Sequence, residues 1–163
     1  MGTKLATIIV SSDRILTKGK TNKSGEIAQD FIKNYGLQLH DSTVVAEGYT
    51  PVDDAIKTAL AADCEIIIVI GGTGIGATNF TPEVTEKYVN ARLHGLETQV
   101  LLRGLESSPK AGLSRGIIGM TEHGGGSLII NCASSSGAVK DTLSVVFPLL
   151  PDIFGVVRAN KGQ

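Results

Sequence analysis

The stretch EIIIVIGGTGIGATNFTPE, residues 65–83, opens with an apolar run that is typical of a strand buried on both faces of a sheet. The run leads into a glycine-rich loop, and glycine tolerates backbone conformations that other residues avoid. Thr81, Pro82 and Glu83 then predict a helix start, with the threonine hydroxyl as N-cap and an acid near the positive end of the helix dipole. A strand, a loop and a helix in this order indicate an α/β unit.

The rest of the chain repeats this alternation. We predict further strands at residues 5–12 and 41–49, a helix after Ser24 that ends at Gly36, and a helix that begins near Pro51. Residues 115–120 and 127–132 predict a hairpin around TEHGGG, and a last helix runs from near Ser136 to Phe147, where Pro148 and Pro151 end it. The order predicts one three-layer α/β domain over residues 1–163, with a mostly parallel sheet and an antiparallel edge strand.

Composition excludes several classes of protein. The 163 residues carry a net charge of −1, which gives no basic footprint for nucleic acid or an anionic membrane. No apolar run is long enough for a signal peptide or a transmembrane helix, so we predict a cytoplasmic protein. Cys64 and Cys132 lie beside apolar runs and are predicted to be buried reduced thiols, and the three histidines share no metal-ligand spacing.

Three small polar loops follow predicted strands: Ser11-Ser12-Asp13, the loop from Gly71, and residues 133–137. Ligands of open α/β sheets bind beyond the carboxyl ends of strands, so these loops predict the site. The spacing Gly72-x-Gly74-x-x-Ala77 matches a loose dinucleotide fingerprint, but the helix begins well after the last glycine, which disfavours a nicotinamide-dependent enzyme. The remaining interpretations are an anion cradle made by the N–H groups of Gly71, Gly72, Thr73 and Gly74, or a turn that merely needs positive φ. The threonines of the same loop, Thr73, Thr78 and Thr81, favour phosphate binding, and Thr81 is included among the predicted ligand-binding residues.

Single residues near these loops keep two interpretations each. Asp13 either binds a ribose, a heterocyclic amide or a magnesium ion, or caps the turn that follows it. Ser134, Ser135 and Ser136, with Gly137, either bind a phosphate or supply an N-cap. Arg115 is a candidate for a phosphate or an interface carboxylate, or a surface arginine, and Glu83 serves the helix dipole or a metal.

Taken together, the segments resemble the MogA/MoaB-type molybdenum cofactor biosynthesis proteins, whose domain also occurs in gephyrin. The resemblance rests on GGTG with TPE, on VSSDR with Ser24-Gly25, on LSRGIIG, and on LIINCASSSGAV beside the family's LIINLPGSPGAV. It implies a molybdopterin-binding homotrimer that adenylylates molybdopterin: the terminal phosphate of the pterin attacks the α-phosphate of ATP and pyrophosphate leaves. It also implies Mg²⁺ and a recipient of the MoeA type, which inserts molybdate.

The departures from the family pattern fall on the predicted active site. Asn79 stands where the family has an aspartate that is implicated in catalysis and metal binding, in TNFTPE against RDVTPE. A second family aspartate falls in the turn that reads YTPVDD here, and Asp53 is our candidate for its role as the second catalytic and metal-binding residue. We therefore predict molybdopterin adenylyl transfer, with a non-catalytic molybdopterin carrier as the alternative.

Overall fold

The computed structural model describes residues 3–161, which form a six-stranded sheet between two layers of helices. The strand order is β2-β1-β3-β6-β5-β4. The strands are β1 (Leu5–Ser11), β2 (Gln38–Val45), β3 (Ile66–Ile70), β4 (Ala91–Arg92), β5 (Ile118–Glu122) and β6 (Gly125–Cys132). Strands β2, β1, β3 and β6 run parallel, β5 is antiparallel to β6, and β4 pairs antiparallel with β5. The predicted mixed sheet is confirmed.

The helices cover both faces of the sheet. They are α1 (Asp13–Thr17), α2 (Lys23–Asn34), α3 (Tyr49–Ala61), α4 (Thr81–Tyr88), α5 (His94–Leu105), α6 (Ser136–Val146) and α7 (Leu150–Lys161). Short 3₁₀ helices span Pro109–Leu113 and Phe147–Leu149. No helix within the described residues combines the length and hydropathy that crossing a bilayer requires.

Strand β3 is the centre of the core because side chains on both of its faces are buried. Ile66, Ile68 and Ile70 pack into the layer that holds α2 and α6, whereas Ile67 and Val69 pack into the layer under α3 and α4. The period-two alternation of a strand therefore serves both layers with apolar residues, as the uninterrupted run predicted. Cys64 and Cys132 are both buried free thiols, as predicted, and burial raises the pKa of Cys132 to about 12.

Several predicted boundaries differ from the structure. Strand β2 covers Gln38–Val45, so it begins three residues and ends four residues earlier than predicted, and α3 begins at Tyr49, before Pro51. Phe80, not Thr81, is the N-cap of α4, so Thr81 is the first helical residue and its hydroxyl has no capping bond. Strand β5 begins at Ile118, which leaves Arg115 in the preceding loop. No prediction was made for helices α1, α5 and α7 or for strand β4. Helix α7 begins at Leu150, after Pro148, and Pro151 lies in its first turn.

Candidate functional site

The three predicted loops meet at the carboxyl ends of the parallel strands. Gly71 N–H donates to the Cys132 carbonyl at 2.9 Å, which joins the loops after β3 and β6. Gly71 has φ +95°, and a Cβ atom there would lie 2.5 Å from the carbonyl oxygen of Ser11. The loop after β1 is therefore equally close, and only glycine fits at position 71. The sequence placed this junction correctly because parallel strands end at a common edge.

The glycine loop leaves several backbone donors free. Gly71 N–H is used by Cys132, and Gly76 N–H by Asn79 Oδ1 at 3.0 Å. Between them, the N–H groups of residues 72–75 meet no acceptor within the described chain. The start of helix α4 offers few free N–H donors to an anion, since Thr81 N–H donates to the Gly72 carbonyl and Pro82 has no N–H. The anion-binding potential lies in the loop itself.

Arg115 holds the glycine loop in shape. Its Nε and Nη2 atoms donate to the Gly74 carbonyl at 3.0 and 2.8 Å, and Nη2 also donates to the Asn79 carbonyl at 3.1 Å. Its Nη1 forms an ion pair with Glu83 Oε2 at 2.5 Å, and this pairing lowers the pKa of Glu83. The carboxylate partner of Arg115 thus lies within the chain, and we interpret Arg115 as a loop clamp.

A cleft of about 220 Å³ opens between α1, α2 and α6, beside the glycine loop. Its polar lining comprises hydroxyl and ammonium groups: Ser11, Ser12, Lys20, Thr21, Lys23, Ser24, Ser134, Ser135 and Ser136. Within the described residues no carboxylate lines it. The N-terminal ends of α2 and α6 both border the cleft, so their dipoles add to the charge of the two lysines. This environment favours an anion.

Hydrogen bonds fix the hydroxyls around this cleft. Ser12 Oγ accepts from Ile15 N–H at 3.2 Å and is the N-cap of α1, so the cap is Ser12 and not Asp13. Ser135 Oγ caps α6 by accepting from Ala138 N–H at 3.1 Å, as one of the two predicted roles. Ser24 Oγ donates to the Ser134 carbonyl at 2.7 Å and ties α2 to the loop after β6. The N–H groups of Ser136 and Gly137 in the first turn of α6 remain for a ligand.

Two carboxylates lie outside the lining of this cleft, where the residues after β1 and β2 meet the glycine loop. Asp13 N–H donates to Glu47 Oε2 at 3.1 Å, and Glu47 N–H donates to Asp13 Oδ1 at 3.0 Å. Thr78 Oγ1 donates to Glu47 Oε1 at 2.9 Å, next to Asn79 in the chain. The acid that reaches the Asn79 loop is therefore Glu47. Asp53 was our candidate because its turn resembles the aspartate-bearing turn of the family, and the predicted strand at residues 41–49 included Glu47.

Asp53 belongs to a separate cluster between α3 and α4. Its carboxylate accepts from Lys87 Nζ at 2.6 Å and from the Tyr88 hydroxyl, and it pairs with Lys57 at 3.1 Å. These partners, Lys87 first and Tyr88 second, lower the pKa of Asp53 to about 2. Lys87 also lies 5.3 Å from the centre of the Tyr49 ring. In the described part of the chain no hydrogen bond of Asp53 reaches the glycine loop.

A family model described as "Probable molybdopterin binding domain" matches residues 7–152. The chain belongs to this family. A solved structure of a Corynebacterium diphtheriae protein assigned to molybdenum cofactor biosynthesis is 43% identical, with a TM-score of 0.86 over 96% of this chain and 99% of that one. The Mog protein of Mycobacterium ulcerans is 32% identical, with a TM-score of 0.85 and full coverage of both chains. The predicted family and fold are thereby confirmed.

Named relatives of this molybdopterin-binding family differ in length. The molybdopterin adenylyltransferase of Helicobacter pylori strain J99 is 28% identical over 96% of this chain and 89% of its own length. The molybdenum cofactor biosynthesis bifunctional protein of Synechococcus elongatus is 29% identical over 94% of this chain. This chain spans 47% of the length of the Synechococcus protein and 22% of Dictyostelium gephyrin.

Proposed function

We propose that this chain is a molybdopterin adenylyltransferase that transfers AMP from ATP to the terminal phosphate of molybdopterin. The observation that carries the proposal is the glycine loop with its free N–H groups, which follows Ile70 at a cleft lined by lysines and contacts the carboxylate of Glu47 through Thr78. Two phosphorylated substrates need extensive anion binding, and phosphoryl chemistry is mostly positioning and charge stabilisation. The name of the Helicobacter relative supports the same assignment.

Each group has a specific task in this reaction. The N–H groups of residues 72–75 bind phosphoryl oxygens. Arg115 donates to the Gly74 carbonyl and so keeps that carbonyl oxygen turned away from the anion. Lys20 and Lys23, with the first turn of α6, bind the second anionic group. The loop thereby holds an attacking phosphate oxygen near the phosphorus that it attacks, which is the main source of rate in such a reaction.

Glu47, Asp13 and Asn79 would hold the magnesium ion. Mg²⁺ prefers hard oxygen ligands and is commonly held by one or two carboxylates together with substrate phosphates. The carboxylates of Glu47 and Asp13 bond each other's backbone N–H groups, and Asn79 follows Thr78, whose hydroxyl donates to Glu47, so we assign the ion to this group of residues together with substrate phosphates. Within the described residues no cluster of three or more His, Cys, Asp or Glu could hold a metal ion. When bound, Mg²⁺ would neutralise charge on the phosphoryl oxygens.

One assay tests the proposal. Purified protein is incubated with molybdopterin, MgCl₂ and ATP labelled with ³²P at the α-phosphate, and transfer of the label to the pterin is measured by chromatography. We expect label transfer with release of pyrophosphate, and none when magnesium is chelated. Binding of molybdopterin without transfer would instead establish the non-catalytic carrier.

The carrier alternative has one specific observation in its favour. Asn79 is neutral, and its Oδ1 already accepts a hydrogen bond from Gly76 N–H at 3.0 Å, so it has less capacity for a cation than an aspartate. The pocket for an anion does not depend on Asn79. A chain that kept this pocket and lost the metal side would bind molybdopterin and transfer nothing.

We also propose a homotrimer in the cytoplasm, with a MoeA-type molybdate-insertion protein as the recipient of the product. Support for assembly comes from an exposed apolar face on α5 and the adjoining 3₁₀ helix, formed by Leu101, Leu102, Leu105 and Leu113. Leu102 and Leu113 are 59% and 58% exposed, and exposure of neighbouring apolar side chains to water is unfavourable unless another chain covers them. Light scattering should give the mass of three chains, and a monomer at all concentrations would contradict the trimer.

A further inference from the structure

Two buried hydroxyls have no hydrogen-bond partner in the described structure, Ser11 Oγ and Thr81 Oγ1. Ser11 is 4% exposed and Thr81 0%. Buried polar groups in folded proteins are nearly always paired, because an unpaired one loses its bonds to water without replacement. They come from distant parts of the chain, the end of β1 and the start of α4, so their shared lack of a partner needs a common explanation.

Both hydroxyls lie beside Gly72. A Cβ atom added at Gly72 would lie 2.5 Å from Thr81 Oγ1 and 3.6 Å from Ser11 Oγ. Gly72 has φ +69°, and its own N–H is among the free donors of the loop. Ser11 also lines the cleft that holds Lys20 and Lys23. The unpaired hydroxyls thus lie beside Gly72, and Ser11 also borders the cleft where the structure favours an anion.

We propose that Ser11 and Thr81 are phosphate-binding residues whose hydroxyls donate to a phosphoryl oxygen once Gly71 and Gly72 shift to admit it. The inference rests on the proposed function, since it takes the anion to be a phosphoryl group. Two consecutive glycines at positive φ can change their peptide orientation with little steric restriction. The free protein then carries two unpaired hydroxyl donors, each with a free-energy cost because it is buried without a partner. The ligand accepts a hydrogen bond from both hydroxyls, so removal of this cost contributes to the binding free energy.

This role predicts effects of opposite sign on stability and on binding. Ser11→Ala and Thr81→Val each remove an unpaired group, so the melting temperature of the free protein should stay equal or rise by about 2–4 °C. The same variants should bind inorganic pyrophosphate at least tenfold more weakly in calorimetry, because a charge-assisted hydrogen bond is lost. Thr81→Ser keeps the hydroxyl and should keep the affinity.

Ser127→Ala is the matched control. Ser127 is 9% exposed, but its hydroxyl donates to the Cys64 carbonyl at 2.6 Å, far from the loop. This variant should lower the melting temperature and leave pyrophosphate affinity unchanged. If Ser11→Ala and Thr81→Val lowered the melting temperature as Ser127→Ala does, their hydroxyls would be paired in the free protein and the proposal would be wrong. Affinity within twofold of wild type would also overturn it, and Ser11→Ala alone decides the matter if Thr81→Val does not fold.

The result is separable from that of the transfer assay. A wild-type protein that binds pyrophosphate without transferring AMP would contradict the proposed function, while the hydroxyl variants would still decide the role of Ser11 and Thr81. A wild-type protein that transfers AMP, with variants that bind pyrophosphate normally, would contradict only the role of the hydroxyls. Wild-type protein that binds no pyrophosphate would overturn the inference.

Discussion

The two sides of the glycine loop differ in charge and in the kind of atom that they present. The cleft between α2 and α6 presents N–H groups, hydroxyls and two ammonium groups. On the other side, Glu47 and Asp13 present carboxylate oxygens, and Asn79 an amide. The first side suits an anion and the second a hard cation, so we predict that substrate binding and metal binding can be separated by mutation. Substitutions on one side should then leave binding at the other side unchanged.

The largest effect should come from Gly72→Val, which blocks the approach of an anion to the loop. Its Cβ would collide with Thr81 Oγ1, and φ +69° is unfavourable for a β-branched residue. We expect pyrophosphate affinity to fall more than about 100-fold in calorimetry, as for a loss of several hydrogen bonds to an anion. Gly95→Val is the control, since a Cβ at Gly95 meets no atom within 4 Å. A folded Gly72→Val protein with normal affinity would remove the phosphate role of the loop.

Glu47→Gln should separate the two sides. The isosteric change removes the negative charge near the metal, and we expect adenylyl transfer to fall about 10- to 100-fold, the equivalent of a few kcal/mol. Pyrophosphate affinity measured without magnesium should be unchanged, because Glu47 does not line the anion cleft. Asp53→Asn serves as the comparison and should change transfer less than about threefold. A larger loss in Asp53→Asn than in Glu47→Gln would restore Asp53 as the catalytic residue.

Asn79→Asp should strengthen the cation side. An aspartate oxygen can still accept from Gly76 N–H, and its charge adds a Coulomb attraction to Mg²⁺ that desolvation of the acid partly offsets. We expect AMP transfer to rise about tenfold in saturating magnesium. The gain should disappear in the double variant with Glu47→Gln. Unchanged or slower transfer would show that the Asn79 amide has a role of its own, such as donating to a pterin or phosphate oxygen.

Lys20→Met should weaken only the anion side. Lys20 is exposed, so its loss should reduce pyrophosphate affinity by about 3- to 10-fold at low salt and make the dependence on salt concentration less steep. Lys33→Met, at the opposite end of α2, is the charge-matched control and should have no effect on affinity. Equal effects of the two substitutions would mean that Lys20 acts only through the overall charge of the protein.

The smallest effect concerns the stability of the Asp53 cluster. The folded-state pKa of about 2 lies below the ordinary value of 3.8, so the cluster stabilises the protein above about pH 4 and the contribution is lost as the pH falls toward 2. Asp53→Asn should therefore lower the free energy of unfolding by about 1–2 kcal/mol at pH 7, measured in urea, and by less at pH 3. The exposed neighbour Asp54→Asn is the control. A difference that does not vary with pH would contradict the ionic origin.

The sequence allowed the fold and the meeting of the three loops to be predicted because both depend on local patterns. The run at residues 66–70 and the order of strands and helices decide the sheet, and parallel strands then bring Ser11, Gly71 and Cys132 to one edge. The hydrogen-bond partners of long side chains could not be predicted from the sequence. Arg115 is preceded by a loop whose course decides whether its guanidinium meets a ligand or the Gly74 carbonyl, and no spacing rule gives that course.

The choice between Glu47 and Asp53 as the carboxylate near Asn79 could not be made from the sequence either. Whether Glu47 or Asp53 faces Asn79 depends on where β2 ends, and Gly48, with φ +122°, starts α3 earlier than the proline suggested. A glycine three residues after Val45, the last β-branched residue of β2, was the available signal. Lys20 and Lys23 gave no signal, since exposed lysines are common and their position beside the cleft depends on the turn between α1 and α2. Single-domain organisation over the whole chain stays a prediction.

The strand order has a consequence for synthesis on the ribosome. Strand β3 pairs on one edge with β1, which is made before it, and on the other edge with β6, which is made later and ends at Cys132. Until then the nascent chain exposes one edge of its most apolar strand, and the Gly71 N–H has no Cys132 carbonyl to bind. Such an edge is a target for chaperones and for pairing with other chains. Translation that pauses between residues 70 and 132 should therefore favour aggregation more than a pause after the β5–β6 hairpin has emerged.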